Sequence, residues 1–181
     1  MDKDRDTALI SDCKRGDRNA LETLVRRYEK PIYNAAYRML GNPDDAADIT
    51  QIAFLKVFEN LDRYNPKFKF FSWIYRIAVN ESINLLKRRG HQEPFDDRHA
   101  SSLREPEALA EAGHLCDCVQ EILMELQEEH RAVIVLRHFT ECSYHEIGEI
   151  LQIPDKTVKS RLYTARQIMK DKIKAKGLVG K

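Results

Sequence analysis

The stretch from Ser143 to Arg166 constrains this chain more than any other. Ser143 is placed to cap a helix, and Glu146, three residues on, completes a capping box. Ile147, Ile150 and Leu151 then fall on one face at helical spacing. Pro154 stops the run, because proline lacks an amide hydrogen and restricts the residue before it. Asp155 or Thr157 is expected to cap a second helix, with Val158, Leu162 and Ala165 inward and Lys159, Ser160, Tyr163 and Arg166 outward. Two short helices across a tight turn, the second apolar inside and basic outside, read as a helix-turn-helix that can lay one helix in a DNA groove. A merely solvated amphipathic hairpin would not require cap, turn, periodicity and basic face to agree.

The 181 residues can form one medium domain or two small ones, and a hydrophobic content of 43% is enough for cores. No apolar run is long enough to span a bilayer, and Met1–Ile10 is charged rather than signal-like, so a cytoplasmic protein without membrane insertion is expected. The formal net charge of +1 conceals segregation. Lys67, Lys69, Arg76, Lys87, Arg88 and Arg89 crowd one block; Lys156, Lys159, Arg161, Arg166, Lys170, Lys172, Lys174 and Lys176 crowd another. Between them lie Glu93, Asp96, Asp97, Glu105, Glu107 and Glu111. Two basic blocks flanking an acidic one suggest two nucleic-acid surfaces on a tether.

The cysteines at 13, 116, 118 and 142 have no framework spacing. His114, Cys116 and Cys118 invite a metal reading, but on a helix Cys116 would point away from the other two; His138, Cys142 and His145 form a second loose cluster. Neither has zinc-site spacing, so no metal and no cofactor is expected. The carboxylates Asp44, Asp45 and Asp48 sit at a helix start, where acids are ordinary dipole partners, and no glycine-rich phosphate loop occurs. An enzyme is therefore not expected.

Along the chain, Ala8 to Arg27 reads as two short helices broken near Gly16 and Asp17, and Tyr28 to Leu40 continues as a helix stopped by Gly41, Asn42 and Pro43. Asp44 or Asp45 starts the next helix, which runs to about Leu61, with Ala46, Ile49, Ala53, Val57 and Phe58 on one side and Asp48, Gln51 and Lys56 toward the other. Asn65 and Pro66 open a loop, after which Ser72 is expected to cap a long helix ending at Arg89 and Gly90. Tyr64, Phe68, Phe70, Phe71, Trp73 and Tyr75 interleave here with Lys67, Lys69 and Arg76. Core packing accounts for some of these rings, Trp73 first among them, but rings among cations are also what single-stranded DNA requires. His91 to about Ala112 carries two prolines, many charges and little periodicity, and reads as a flexible linker. Leu115–Glu128 and Glu129–Phe139 are two further helices packed against the helix-turn-helix. The fold class is all-α: two small helical domains, residues 1–90 and 115–181, joined by an acidic linker at 91–114.

Three segments in this order resemble one family. Asp48–Phe58 is similar to a polymerase-binding helix, Phe71–Asn80 to a −10-reading signature, and Ile153–Arg166 to a −35-reading helix of bacterial RNA polymerase sigma factors of the extracytoplasmic-function type. The resemblance spans about Asp12 to Lys174 and implies a factor that binds core RNA polymerase and promoter DNA and is held in check by an anti-sigma factor. It implies polymerase docking by Asp48, Gln51 and Phe54. It implies −10 DNA contacts from Tyr64, Lys67, Lys69, Phe70, Phe71, Arg76, Asn80, Lys87 and Arg88, with a flipped base held near Tyr64 and Asn80. It implies −35 contacts from Lys156, Thr157, Lys159, Ser160, Arg161, Tyr163, Thr164 and Arg166, of which Arg161 and Arg166 suit phosphates and Lys159 and Ser160 suit base edges. It also implies that the acidic linker follows the RNA exit path, although a plain tether would look the same. A stand-alone repressor would share the helix-turn-helix but leave the aromatic, basic N-terminal half unexplained.

Overall fold

The computed structural model describes residues 3–90 and 117–177. The linker assigned to 91–114, with His114 and Cys116 at and just beyond its end, lies outside the described residues. Helix α1 spans Lys3–Lys14 and α2 spans Arg18–Leu40. Asp17 caps α2 by accepting from the amides of Asn19 and Ala20. The helix runs on through Pro31 and ends at Gly41, which takes a left-handed conformation at φ 72° and donates to the Tyr37 carbonyl. Asn42 caps α3, Pro43–Glu59, with proline at its first position. A 3-10 turn at Leu61–Arg63 leads to α4, Phe70–Gly90.

The C-terminal unit begins with α5 at 117–124, followed by α6, Glu128–Ile134, which winds on as a π-turn through Val135–Phe139. Helix α7 spans Tyr144–Leu151 and α8 spans Asp155–Ala175. Among the described residues there is no strand, as an all-α fold requires.

One continuous apolar core runs through both units. In the first, Leu24, Tyr28, Ile32, Met39, Phe70 and Ile74 are fully buried, with the Tyr28 and Phe70 rings edge-to-face at 5.1 Å. Helix α1 is latched on by a buried polar group: the Asp6 carboxylate accepts from the Tyr28 hydroxyl and pairs with Arg27 at 2.8 Å. In the second, Ile122, Leu123, Ile134, Leu136, Ile147, Val158 and Leu162 are buried.

The two units are packed on one another. Arg131 of α6, only 5% exposed, donates to the carbonyls of Met124 and Leu126 at 2.8 and 2.9 Å and also to Met39 at the end of α2. A buried guanidinium is tolerated only where carbonyls gather around it. Gln120 donates to the Tyr37 carbonyl at 3.2 Å and accepts from Arg38 at 3.0 Å. Gly41 lies directly against Met124: a Cβ there would stand 2.7 Å from Met124 Sδ, so that side chain would have to shift.

Two expected caps are not used. Ser72 is buried inside α4, whose first turn starts earlier at Phe70, and its hydroxyl is turned toward α7. Neither Asp155 nor Thr157 caps α8: Pro154 occupies that position without a side-chain bond, so Asp155 serves as a first-turn acid instead.

Candidate nucleic-acid interfaces

The helix-turn-helix forms as its sequence demands. Ser143 Oγ accepts from the Glu146 amide at 3.2 Å while the Glu146 carboxylate accepts from the Ser143 amide at 2.9 Å, closing the capping box. Gln152 turns the chain at φ 56°. Helix α7 then meets the start of α8 so closely that a Cβ on Gly148 would stand 2.9 Å from both the Ile153 carbonyl and Asp155 Oδ1. Val158, Leu162 and Ala165 are buried, which fixes the rotation of α8. Lys156, Lys159, Ser160, Tyr163 and Thr164 are exposed along its outer side, with Tyr163 at 68% the most exposed large hydrophobic group among the described residues. Lys159 Nζ lies 6.0 Å from the Tyr144 ring, and Ser160 Oγ donates back to the Thr157 carbonyl at 3.0 Å; Thr157 itself is half-buried.

Two residues expected to clamp phosphate are engaged elsewhere. Arg161 is turned inward and pairs with Glu129 of α6 at 2.6 Å, because position 161 shares its stripe with Thr157 and Ile168 rather than with Lys159. Arg166 is exposed but donates to His138 Nε2 at 3.3 Å; burial first, then the Arg166 and Arg137 charges, hold the His138 imidazole neutral-favouring.

The second surface lies on α4 and the loop before it. Of the rings expected there, Phe70 is fully buried, while Tyr64 and Phe71 are each 7% exposed. Tyr64, Phe70 and Trp73 pack at 5.5 to 6.0 Å between centroids. Tyr64 and Phe70 are core, whereas Trp73, the ring expected first in the core, is half-buried and Phe68, at 48%, is exposed. The Tyr64 hydroxyl is spent on the Phe68 carbonyl at 2.8 Å, shaping the loop. A cavity of about 440 Å³ opens between Arg63, Tyr64, Phe68, Trp73 and Arg76 on one side and Gly148, Glu149 and Gln152 on the other. Asn80 is exposed one turn beyond Arg76, and Lys87 and Arg88 are exposed at the end of α4; Lys67 is exposed in the loop. Arg89, by contrast, makes a bidentate pair with Asp45 at 2.6 and 2.7 Å.

Helix α7 closes on this surface. Lys69 Nζ pairs with Glu146 at 2.8 Å, Ser72 Oγ donates to Glu149 Oε2 at 3.2 Å, and Arg76 donates to the Glu149 carbonyl at 2.9 Å. Burial would raise the Glu146 carboxyl, but Lys69 and the Ser143 amide outweigh it and hold it at about 2.

On α3, Asp48 and Gln51 are exposed as expected, but Phe54 is 7% exposed and stacks on Phe58 at 5.9 Å in the core. The exposed apolar group of that stripe is Leu55, at 60%, which lies i+7 from Asp48 and i+4 from Gln51. That spacing was available in the sequence and points to Leu55 rather than Phe54. Among the described residues no three His, Cys, Asp or Glu side chains gather as a metal site, and no helix is long and apolar enough to cross a membrane. Cys142 is buried beside Thr140, and burial raises its thiol to about 11.

Residues 24–92 match the sigma-70 region 2 family and residues 116–169 match sigma-70 region 4. The chain is 33% identical over 177 residues to the ECF RNA polymerase sigma factor SigW of Bacillus subtilis, covering 91% of this chain and 95% of that one. It is 32% identical over 180 residues to the ECF RNA polymerase sigma-E factor of Escherichia coli, covering 93% and 94%. Its fold is similar to that of CnrH, solved in complex with the cytosolic domain of CnrY, with a TM-score of 0.75 at 25% identity over 96% of this chain and 99% of that one. The RpoE sigma factor of Bartonella quintana, solved with the anti-sigma factor NepR, has the same fold, with a TM-score of 0.71 at 21% identity over 84% and 96%. With both matched regions in order and relatives aligned almost end to end, the chain belongs to the extracytoplasmic-function sigma factors of bacterial RNA polymerase.

Proposed function

We propose that this sigma factor docks on core polymerase through the exposed stripe of α3, reads the −35 element with α8, and reads and opens the −10 element with α4 and the loop before it. The carrying observation is the outer side of α8, where Lys156, Lys159, Ser160 and Tyr163 stand exposed over a buried apolar seam. Lys159 can donate to guanine O6 or N7 and Ser160 to several base edges, whereas Arg161, paired with Glu129, supports the helix from behind. On the −10 side, Arg76, Asn80, Lys87 and Arg88 supply cations and a base-edge amide, and Phe68 and Trp73 supply rings for stacking. On α3, Asp48 and Gln51 with Leu55 form a mixed acidic, polar and apolar patch suited to a protein partner.

The working division is residues 1–90 for polymerase and −10 contacts, 91–114 as an acidic linker, and 115–181 for −35 contacts. Likeness to CnrH, solved with the cytosolic domain of CnrY, supports a protein partner besides polymerase, and an anti-sigma factor is the partner proposed for this chain. The protein acts in the cytoplasm by binding alone, without chemistry of its own; Asp45, one of its clustered acids, is occupied by Arg89. Co-elution with core polymerase tests the docking patch. Asp48→Arg is expected to weaken assembly by tenfold or more, as charge reversal in an interface does, with an unchanged helical spectrum. Undiminished co-elution would move the polymerase site off α3.

A further inference from the structure

We propose that the cleft between α1 and α2 binds a phosphate dianion, either inorganic phosphate or the terminal phosphate of a nucleotide. Arg5 of α1 and Thr23, Arg26 and Arg27 of α2 line a space of about 300 Å³ there. None of these residues belongs to the surfaces proposed above for polymerase or promoter. Arg5 and Arg26 are exposed, and neither makes an ion pair or hydrogen bond among the described residues. Glu22 and Glu29, the acids on the same exposed stretch of α2, do not line the cleft. Cations gathered without carboxylates between them repel one another, and an anion among them removes that repulsion.

The third guanidinium is set from behind. The Asp6 carboxylate, its side chain only 3% exposed, lies 2.8 Å from Arg27 Nη1 and accepts from the Tyr28 hydroxyl. Arg27 Nη1 and Asp6 Oδ1 are both buried without a completed hydrogen bond, so the carboxylate fixes the guanidinium by charge without saturating it. The other N–H groups of Arg27 have no partner among the described residues, and its side chain is 24% exposed at the cleft. A carboxylate behind an arginine holds its rotamer before a ligand arrives, which lowers the ordering cost of binding. Thr23 Oγ1 already donates to the Asn19 carbonyl at 2.7 Å and can only accept, so it forms wall. Recognition falls to the guanidiniums, whose paired N–H groups match phosphate oxygens.

Charge decides the class of anion. Arg5, Arg26 and Arg27 against Asp6 leave two positive charges, close to what a phosphate monoester carries near pH 7. A DNA phosphodiester carries one and would leave the other uncompensated. Bridging Arg5 to Arg26 and Arg27 also ties α1 to α2, a helix otherwise held chiefly by Asp6 and by burial of Ile10. Occupancy therefore stabilises the N-terminal unit by mass action.

The test uses the full chain, with calorimetric titration of inorganic phosphate and of ATP without magnesium, and thermal unfolding in phosphate against chloride at equal ionic strength. Phosphate is expected to raise the melting temperature by about 3–6 °C at ten times its Kd. Arg5→Gln and Arg26→Gln, both at exposed positions, are each expected to weaken binding about tenfold or more while leaving the melting temperature in chloride unchanged. Arg26→Lys keeps the charge without the paired N–H groups and is expected to fall between. ATP binding at least about fivefold tighter than phosphate would make a nucleotide the source, and equal affinity would assign free phosphate. Phosphate binding that survives both glutamine changes, or that is lost in Lys159→Ala instead, would overturn the site. If Arg26→Gln weakened only binding of a short random duplex, with neither phosphate nor ATP bound by the parent chain, the cleft would be a DNA backbone contact and the dianion assignment would be wrong.

Discussion

The two helices proposed to face DNA are built from similar residues and end in different states. On α8 the cations and hydroxyls stand in solvent above a buried seam of Val158, Leu162 and Ala165. At the start of α4, Lys69 just before the helix is bonded to Glu146 and Arg76 to the Glu149 carbonyl, while Lys87 and Arg88 at its far end are exposed. Basic charge alone therefore does not make a surface available; what matters is which acceptors the rest of the chain brings to it. The contrast also runs within α8 itself, since Arg161 is tied to Glu129 while Lys159 and Ser160 face outward.

The comparison can be broken most severely at the turn that joins the two surfaces. Gly148→Val would push a side chain into the Ile153 carbonyl and Asp155, both within 2.9 Å of the first carbon. Overpacking of this kind costs about 1–3 kcal/mol or more and should lower the melting temperature and disorder the α7–α8 angle. Loss of −35 binding together with a looser α4 contact is expected, measured by thermal unfolding and binding to a selected −35 duplex. A variant as stable and as tight as the parent would mean that the close approach does not set the angle.

A finer division lies within α8. Lys159→Ala is expected to cost about 1–3 kcal/mol at one base pair of the −35 element and little elsewhere, which a panel of single-base duplex variants would resolve. Arg161→Ala should lower affinity for all sequences alike and by less, because it removes a partly exposed ion pair to Glu129 worth about 1 kcal/mol at most. A base-specific loss for Arg161 would reassign it to the groove.

The smallest effect concerns pH. The Glu146 carboxyl is held at about 2, below its ordinary value, so its contribution to the contact between α4 and α7 is present above about pH 4.3 and lost as pH falls toward 2. The Lys69 ammonium is raised, chiefly by its bond to Glu146, so its contribution is present below its ordinary value and lost only as pH rises beyond it. From about pH 5 to 9 this pair should leave the radius of gyration unchanged. A transition inside that window would assign it to another group.

Much of this was legible before any coordinates. The Ser143 and Glu146 capping box, the stop at Pro154 and the stripe of Val158, Leu162 and Ala165 are local features, and local features survive folding. The Asp48 and Gln51 face of α3 follows from periodicity for the same reason, and the same count would have chosen Leu55 over Phe54. The aromatic loop was harder to read, because a ring's sequence neighbours do not say whether it packs on Tyr28, as Phe70 does, or faces solvent, as Phe68 does. Least legible was the contact between the units. Lys69 and Glu146 are 77 positions apart, and a cation suited to phosphate looks the same in sequence whether or not a carboxylate awaits it.

The difference between the two surfaces can be measured by photocrosslinking in the polymerase-bound chain, with 4-thiothymidine placed in single-stranded DNA and in a selected −35 duplex. Duplex crosslinks to α8 around Lys159 and Tyr163 are predicted, and single-strand crosslinks to α4 around Trp73 and Asn80. Single-strand crosslinks that fall on α8, with none on α4, would contradict the division of the two surfaces.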